Sequence, residues 1–353
     1  MANWLIPITG QAQFTETKEI HKQFGVAPQT RIEISNKYGK IELNTWEKDS
    51  VVIDIDIRVE EKKLSRLEKA IDDIDFDFTQ SQHFLIVNTL VDRNKSDLGK
   101  ELLRLKETVL QSDGNIQIDY TVWVPQRNEL VVNNKFGDIY ISDFEGDIKM
   151  DLSNGNLKSN DLSGRLDLTL NFGDATINKI NTGRIECSFS DVYIKEAESL
   201  RLESKSTTFE ILEINDLDTD SRRDKFRIRL IDRLEAVSSF SNFRITELTD
   251  RINLKAAYGD LDIEKTAPDF SDMYIESKST DLNLYFDKGS EFNFEITHTK
   301  TENQFCTELK IEKEEVLDEK EKQGKLTGYF GKPGNNTRLN IKAEEGEINI
   351  LSN

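Results

Sequence analysis

The sequence predicts an all-β protein: a parallel β-helix or β-solenoid with rungs of about 17–18 residues and a small α+β N-terminal cap. A recurring phrase, its near-constant spacing and an alternation of two between its copies carry that reading. The phrase is clearest at Asn133-Asn134-Lys135-Phe136-Gly137-Asp138-Ile139-Tyr140-Ile141, a polar corner, an aromatic, Gly-Asp and a short alternating strand. An upstream copy reads Ser35-Asn36-Lys37-Tyr38-Gly39-Lys40-Ile41. Later copies include Asn171-Phe172-Gly173-Asp174 and Ala257-Tyr258-Gly259-Asp260, with weaker ones at Asn154-Gly155-Asn156, Phe189-Ser190-Asp191 and Ser279-Thr280-Asp281.

From Asp138 to Asn156, Asp174 and Asp191 the steps are 18, 18 and 17 residues, and onward through Glu210, Arg227, Arg244 and Asp260 they are 19, 17, 17 and 16. A fixed period marks stacked units, because one repeat cannot bury its apolar face alone. So short a period holds two or three short strands and no helix. Ile139/Ile141, Leu166/Leu168/Leu170, Ile185/Cys187/Phe189, Leu200/Leu202, Ile252/Leu254 and Leu282/Leu284 alternate by two, which places them inward as apolar ladders. Gly before Asp suits a corner where the backbone needs positive φ and the carboxylate accepts a bond from a neighbouring amide.

Along the 353 residues, 1–13 stand apart as a leader. Trp4-Leu5-Ile6-Pro7-Ile8-Thr9-Gly10-Gln11-Ala12 resembles the tail of a secretory signal, with Gly10-x-Ala12 as the small-residue cleavage site, or else a short apolar strand or disordered leader. Residues 14–128 form the N-terminal part. It has strands at 31–34 and 51–59, a turn carrying Trp46, and an amphipathic helix over 61–74 with Leu64, Leu67, Ile71 and Ile74 at helical spacing. Such a helix beside the first strands would cap the open end of a solenoid. Strands follow at 75–78 and 83–91, then a charged excursion at 92–114 with a short helix over 98–107, then a strand at 116–125 ended by Pro125. Residues 129–353 hold the repeats, to about 297, then a charge run at 312–322 that reads as a solvated helix or a disordered segment. A turn-rich loop at 328–336 and closing strands at 338–342 and 346–350 complete the chain.

The net charge of −19 argues against nucleic acid and anionic lipid as general partners. No apolar run approaches the roughly 20 residues of a membrane span. Cys187 shares a face with Ile185 and reads as a small buried hydrophobe. Cys306 lies opposite Phe305, Thr307, Leu309 and Ile311 and so points outward; neither a disulfide nor a metal site is expected. His21, His83 and His298 are scattered, and no phosphate loop, dinucleotide fingerprint or nucleophile elbow occurs, so no cofactor is expected. Asp138, Asp174, Asp191 and Asp260 would form a column if the rungs stack in register. Such a column serves catalysis in polysaccharide-cleaving β-helices or binds calcium in β-rolls, but corner aspartates ordinarily serve backbone hydrogen bonding.

One basic stretch interrupts the acidic background. Arg222, Arg223, Lys225, Arg227, Arg229 and Arg233 face only Asp224 and Asp232, six cations against two acids. With Phe226, Ile228 and Leu230 inward, Arg227 and Arg229 project outward from one strand. Arg222, Arg223, Lys225, Arg227 and Arg229 thus form a patch for an anionic ligand, or pair with Glu203, Glu210 and Glu213 on adjacent rungs.

Ile32-x-Ile34-x-Asn36-x-Tyr38-Gly39-x-Ile41, Thr45-Trp46, the 61–74 helix, Tyr120-x-Val122-x-Val124-Pro125 and the Phe/Tyr-Gly-Asp repeats resemble the "putative adhesin" β-strand-repeat family, a domain of unknown function common in the Bacteroidetes. The resemblance runs from about residue 18 to the last strand. It implies a parallel β-helix in an exported envelope protein, periplasmic or at the cell surface, with adhesion as the proposed role and no catalytic residues. The expected function is a non-catalytic, adhesin-like or scaffolding solenoid that binds an envelope or surface protein or a polysaccharide. The alternatives are a carbohydrate-active β-helix enzyme and an envelope-stress regulatory partner.

Overall fold

A computed structural model describes residues 13–91, 115–334 and 336–353. The leader through residue 12 and the 92–114 excursion lie outside them. The described residues are all-β apart from one short helix, and the chain falls into two compact units that divide after Ile141.

The first unit holds β1 (Phe14–Gly25), β2 (Arg31–Lys37), β3 (Ile41–Trp46), β4 (Ser50–Glu61), α1 (Leu64–Asp72), β5 (Ile74–Gln80), β6 (Phe84–Val91), β7 (Asn115–Pro125), β8 (Leu130–Lys135) and β9 (Ile139–Ile141). Strand β2 runs parallel to β6 and β8, and β3 parallel to β7 and β9. Strand β4 is flanked by β1 and β7, both antiparallel. Alternation along β4 puts Val51, Ile53, Ile55, Ile57 and Val59 inside, and α1 buries Leu67.

The second unit is built from β10 (Ile148–Ser153), β11 (Leu157–Asn171), β12 (Asp174–Ser188), β13 (Asp191–Lys205), β14 (Thr208–Arg222), β15 (Lys225–Ser239), β16 (Asn242–Thr266) and β17 (Asp272–Phe286), each parallel to the next. Asp174 pairs with Asp191, Asp191 with Thr208, Thr208 with Lys225 and Lys225 with Asn242, a step of 17 residues each time. The sequence count through Glu210, Arg227 and Arg244 is therefore two residues out of register: their partner in the preceding repeat is Tyr193. A slip of two preserves the facing of every side chain, so alternation cannot detect it.

Burial within a repeat follows one spacing. In β15 the core residues are Phe226, Ile228, Ile231, Leu234 and Ala236, and β14 repeats the spacing with Phe209, Ile211, Ile214, Leu217 and Thr219. A spacing of two is straight strand, and a spacing of three is a bend that keeps the next run facing the same interior. Leu230, expected inside, falls in such a bend and is part-exposed, while Ile231 takes the core. The inner ladder is stacked: Phe209, Phe226 and Phe243 lie ring on ring, with centroids 4.8 and 4.5 Å apart. Offset stacks of this kind add to the area they bury.

Each repeat turns at one residue with positive φ, and that residue is not the glycine. Phe172, Phe189, Ser206, Arg223, Phe240 and Tyr258 have φ between 55 and 61°. Phe189 therefore leaves the Ile185/Cys187 face and is half exposed, while Ser190 behind it is buried. The glycines answer to crowding instead. A Cβ on Gly173 would stand 1.9 Å from the Gly155 carbonyl oxygen, and one on Gly259 would stand 2.0 Å from that of Ser241.

The C-terminal strands depart from sequence order. They are β18 (Phe292–Thr299), β19 (Glu302–Phe305), β20 (Leu309–Asp318), β21 (Gln323–Phe330), β22 (Arg338–Glu344) and β23 (Glu347–Ser352). Strands β22 and β23 are closing strands in sequence only. They slot between β17 on one side and β18 with β19 on the other, parallel to both. The 312–322 charge run is neither helix nor disordered segment: most of it is β20, antiparallel to β21, which itself pairs antiparallel with β18. Strand β20 is exposed beyond Leu309, which explains why charge could mask a strand. Gly328 to Phe330, expected in a loop, end β21 with Phe330 buried, and the turn begins at Gly331. A turn at 306–308 breaks the expected strand through Cys306, so Leu309 is buried while Ile311 is exposed.

Two outcomes test this packing. Leu168→Ala, at a fully buried ladder position, should cost roughly 2–5 kcal/mol in urea melts, and Asp167→Ala little. Gly173→Ala should lower the same midpoint sharply, because the obstructing atom is backbone. A neutral Gly173→Ala would mean that the corner opens freely.

Candidate binding surface

Parallel register turns outward side chains into columns. Residues at corresponding positions of successive repeats sit about 4.8 Å apart, close enough for side chains to touch. The expected aspartate column forms only in fragments. Asp174 pairs with Asp191, and Asp260 with Asp281, but Thr208, Lys225 and Asn242 stand between these acidic stretches. What the position does repeatedly is cap the next backbone. The Asp174 amide donates to Asn156 Oδ1 (3.0 Å) and the Glu347 amide to Asp281 Oδ1 (3.0 Å). Burial, with Asp262 beside it, raises the Asp260 carboxyl above its ordinary range.

The basic strip is divided by the fold. Arg229 forms an ion pair with Glu213 on the adjacent repeat, and Arg233 pairs with Asp216 and, at 3.8 Å, with Asp250. Arg227 lies in register between Glu210 and Arg244, and Arg244 is drawn to Asp262 at 3.6 Å. Arg222 and Arg223 close one repeat and Lys225 opens the next, so these three sit at a corner rather than along a strand face. Among the described residues no ion pair involves Arg222, Arg223, Lys225 or Arg227.

Asp224 is the residue of the strip that charge counting misplaced. It is buried, and its carboxylate accepts the amide of Thr207 (2.7 Å), the hydroxyl of Ser204 (2.7 Å) and the amide of Arg222 (3.0 Å). Desolvation raises its carboxyl above the ordinary 3.8, against the pull of those three donors. Its column, Ser190, Thr207, Asp224 and Ser241, was readable at steps of 17 as small or polar residues behind each corner.

A groove of about 510 Å³ crosses several repeats, floored by Gly183, Leu200 and Leu217 and edged by Arg184, Arg201 and Asp218. Two of its arginines are engaged locally. Arg184 reaches Glu203 at 3.0 Å and Glu186 at 2.6 Å, and Arg201 approaches Glu203 at 3.6 Å and Asp218 at 3.9 Å. Exposed pairs like these contribute little stability each, but they engage Arg184 and Arg201 with neighbouring carboxylates.

His21 pairs with Asp54, His83 is exposed, and His298 is part-buried on β18, where desolvation lowers its pKa. Among the described residues no three His, Cys, Asp or Glu side chains converge on a metal position. Both cysteines are free; Cys187 is buried and its thiol is pushed up to about 12. No helix among the described residues is long and apolar enough to cross a membrane.

No family model matches the sequence, and no curated protein matches it. Solved structures similar to the chain include one described as a putative adhesin from Parabacteroides distasonis, at 12% identity and TM-score 0.36, covering 76% of this chain and 97% of that one. Another from the same organism is described as a putative lipid binding protein, at 10% identity and TM-score 0.36, covering 78% and 94%. A third is described as a putative adhesin from Bacteroides fragilis, at 12% identity and TM-score 0.28, covering 95% and 97%.

The buried carboxylate gives a pH test. A folded pKa raised above the unfolded one contributes stability that is present below the ordinary 3.8 and lost as pH rises through the folded value. The stability of wild type relative to Asp224→Asn should therefore be greater at pH 4 than at pH 7. Thermal melts of both proteins at the two pH values measure that difference, and a constant gap would remove the assigned shift. Alkylation at pH 8 should modify Cys306 rapidly in the native protein and Cys187 only on unfolding.

Proposed function

We propose that this chain is a non-catalytic, exported β-solenoid of the cell envelope, adhesin-like or scaffolding, that binds a surface partner. The 17-residue parallel register and the core spacing of two, three, three and two support a chain wound around one interior in the second unit. Residues 14–128, with α1, are the small α+β N-terminal part in this reading.

One observation carries the binding role. The outward ionisable groups are arrayed along the stack and paired repeat to repeat, as in Lys179–Glu196, Arg184–Glu203 and Lys265–Glu247. Catalysis needs an acid, a base and a charge stabiliser converging on one atom. An array at one-repeat spacing instead suits a long or repetitive partner that meets it at several points. The interrupted aspartate column gives the carbohydrate-active reading no continuous acidic face. Within the array, Arg222, Arg223, Lys225, Arg227 and Arg229 form the proposed anionic-ligand patch, weighted toward the corner because Arg229 is tied to Glu213.

Co-purification from native envelopes tests the function. A retained envelope protein or polysaccharide is expected, together with no new reducing ends or unsaturated products when the chain is incubated with acidic and neutral polysaccharides. Turnover that scales with protein concentration would overturn the non-catalytic reading.

A further inference from the structure

In the second unit the corner column runs Phe172, Phe189, Ser206, Arg223, Phe240 and Tyr258, one residue per repeat and each at positive φ. The backbone locks them in line. The Phe189 amide donates to the Lys205 carbonyl (3.1 Å), that of Ser206 to Arg222 (2.9 Å), and that of Arg223 to Ser239 (3.0 Å). Two exposed ring pairs result. Phe172 and Phe189 stack at 5.2 Å and 2°, and Phe240 and Tyr258 at 4.9 Å and 12°. Between the pairs two layers, Ser206 and Arg223, lack a ring, and the Ser206 layer is left open. Ser206 fills it only partly, and the Arg223 guanidinium bounds the far side, 6.0 Å from the Phe240 centroid.

That vacancy lies among four cations of adjacent repeats, Lys205, Arg222, Arg223 and Lys225. Lys205 precedes Ser206 and is in register with Arg222, while Lys225 is in register with Thr208, two residues after Ser206. Among the described residues no ion pair involves Lys205, Arg222, Arg223 or Lys225. The Lys205 ammonium is 5.9 Å from the Phe189 centroid and Arg223 is 6.0 Å from that of Phe240, both near the outer limit of about 6 Å for a cation–π contact. The nearby carboxylates are Asp224, buried behind the corner and turned to its three donors, Asp191, exposed and in register with Thr208, and Glu186, Glu203 and Asp220, which line one shallow cavity with Lys205 on the strand side of the corner.

We infer that the Ser206 corner is a subsite for an acidic pyranose, a uronic or sulfated sugar within a linear polysaccharide. The inference rests on the proposed binding role and names its ligand class. Phe189 and Arg223 are two repeats apart, about 9–10 Å at the usual strand spacing. A sugar ring enters that gap edge-on, lays its C–H face on Phe189 and directs its acid group to Arg223 and Lys205. The guanidinium fork suits a carboxylate or sulfate, each with two oxygens to accept parallel N–H bonds. Arg222 and Lys225 meet acid groups on neighbouring sugars. Repulsion from the rest of a chain of net charge −19 directs a polyanion to this corner.

The direct test fills the vacancy. Ser206→Phe places a ring in a position whose backbone already carries phenylalanine at 172, 189 and 240, so the fold tolerates it. Polygalacturonate and dextran sulfate are the probes, titrated onto the whole chain at low and moderate salt, with unsulfated dextran as the neutral control. Wild type should bind at least one acidic probe with salt-sensitive affinity and not the neutral one. Ser206→Phe and Arg223→Gln should each weaken binding about tenfold or more, and Lys313→Gln, in the Glu315 ion pair on β20, should leave it within about twofold. Which acidic probe wins assigns carboxylate or sulfate. Undiminished binding by Ser206→Phe, with its melting point unchanged, would overturn the corner assignment while leaving an anion-binding role elsewhere. Absence of binding by wild type to both acidic probes at low salt would overturn the ligand class, and envelope co-purification would still decide the broader role.

Discussion

The hydrogen bond from each corner amide to the following repeat is the constraint on which the second unit depends. Phe189 to Lys205, Ser206 to Arg222 and Arg223 to Ser239 hold the left-handed residue of each repeat directly against the next. A left-handed residue with a side chain is disfavoured by about 1–2 kcal/mol, so it persists only where the surroundings fix it. Here the flanking ladders do so: Ser188 pairs with Lys205 before the corner and Asp191 with Thr208 after it. Once the corner is fixed, the step is fixed at 17, and Phe209, Phe226 and Phe243 must stack inside. The outward columns are the other face of the same restriction.

Much of this was legible because it repeats. Period, all-β class and inward alternation at Leu166, Leu168 and Leu170 follow from side-chain pattern alone, and the structure buries all three. The errors share one origin: pattern reports facing, not backbone direction. Phe189 continues the alternation of Ile185 and Cys187 in sequence, yet a positive φ turns it outward. Leu230 continues that of Phe226 and Ile228, yet a bend passes the core to Ile231. Glycine before Asp signals a corner correctly, but the reason is the carbonyl that crowds Gly173 rather than its own φ. Strand β20 was obscured because both its faces meet solvent, so hydrophobicity carried no period to read.

The candidate surface was less legible, for an electrostatic reason. Counting charge along 221–233 treats Asp224 and Arg229 as ordinary members of one strip, whereas burial removes the first and Glu213 engages the second. Lys205 joins the cluster from another repeat, 17 residues before Arg222. Exposed pairs individually contribute little to stability, so their arrangement matters mainly for which cations remain available to a partner. By that criterion the corner stands apart from the groove edged by Arg184 and Arg201, whose charges are already answered.

Corner geometry also separates recognition from folding. The backbone at each corner is set by the ladders on either side, and the side chain there points away from the core. Asn154, Phe189, Ser206, Arg223 and Tyr258 all occupy the same left-handed position, though they differ in size, charge and aromaticity. A fold that accepts an amide, a ring, a hydroxyl and a guanidinium at one position is not selecting that side chain for packing. The residue just behind it is restricted: Gly173 and Gly259 by a close carbonyl, Ser190, Thr207 and Ser241 by burial. The corner residue can therefore vary from repeat to repeat at little cost to the parallel ladder, and the order of rings, gap and cations along the column is set independently of the core.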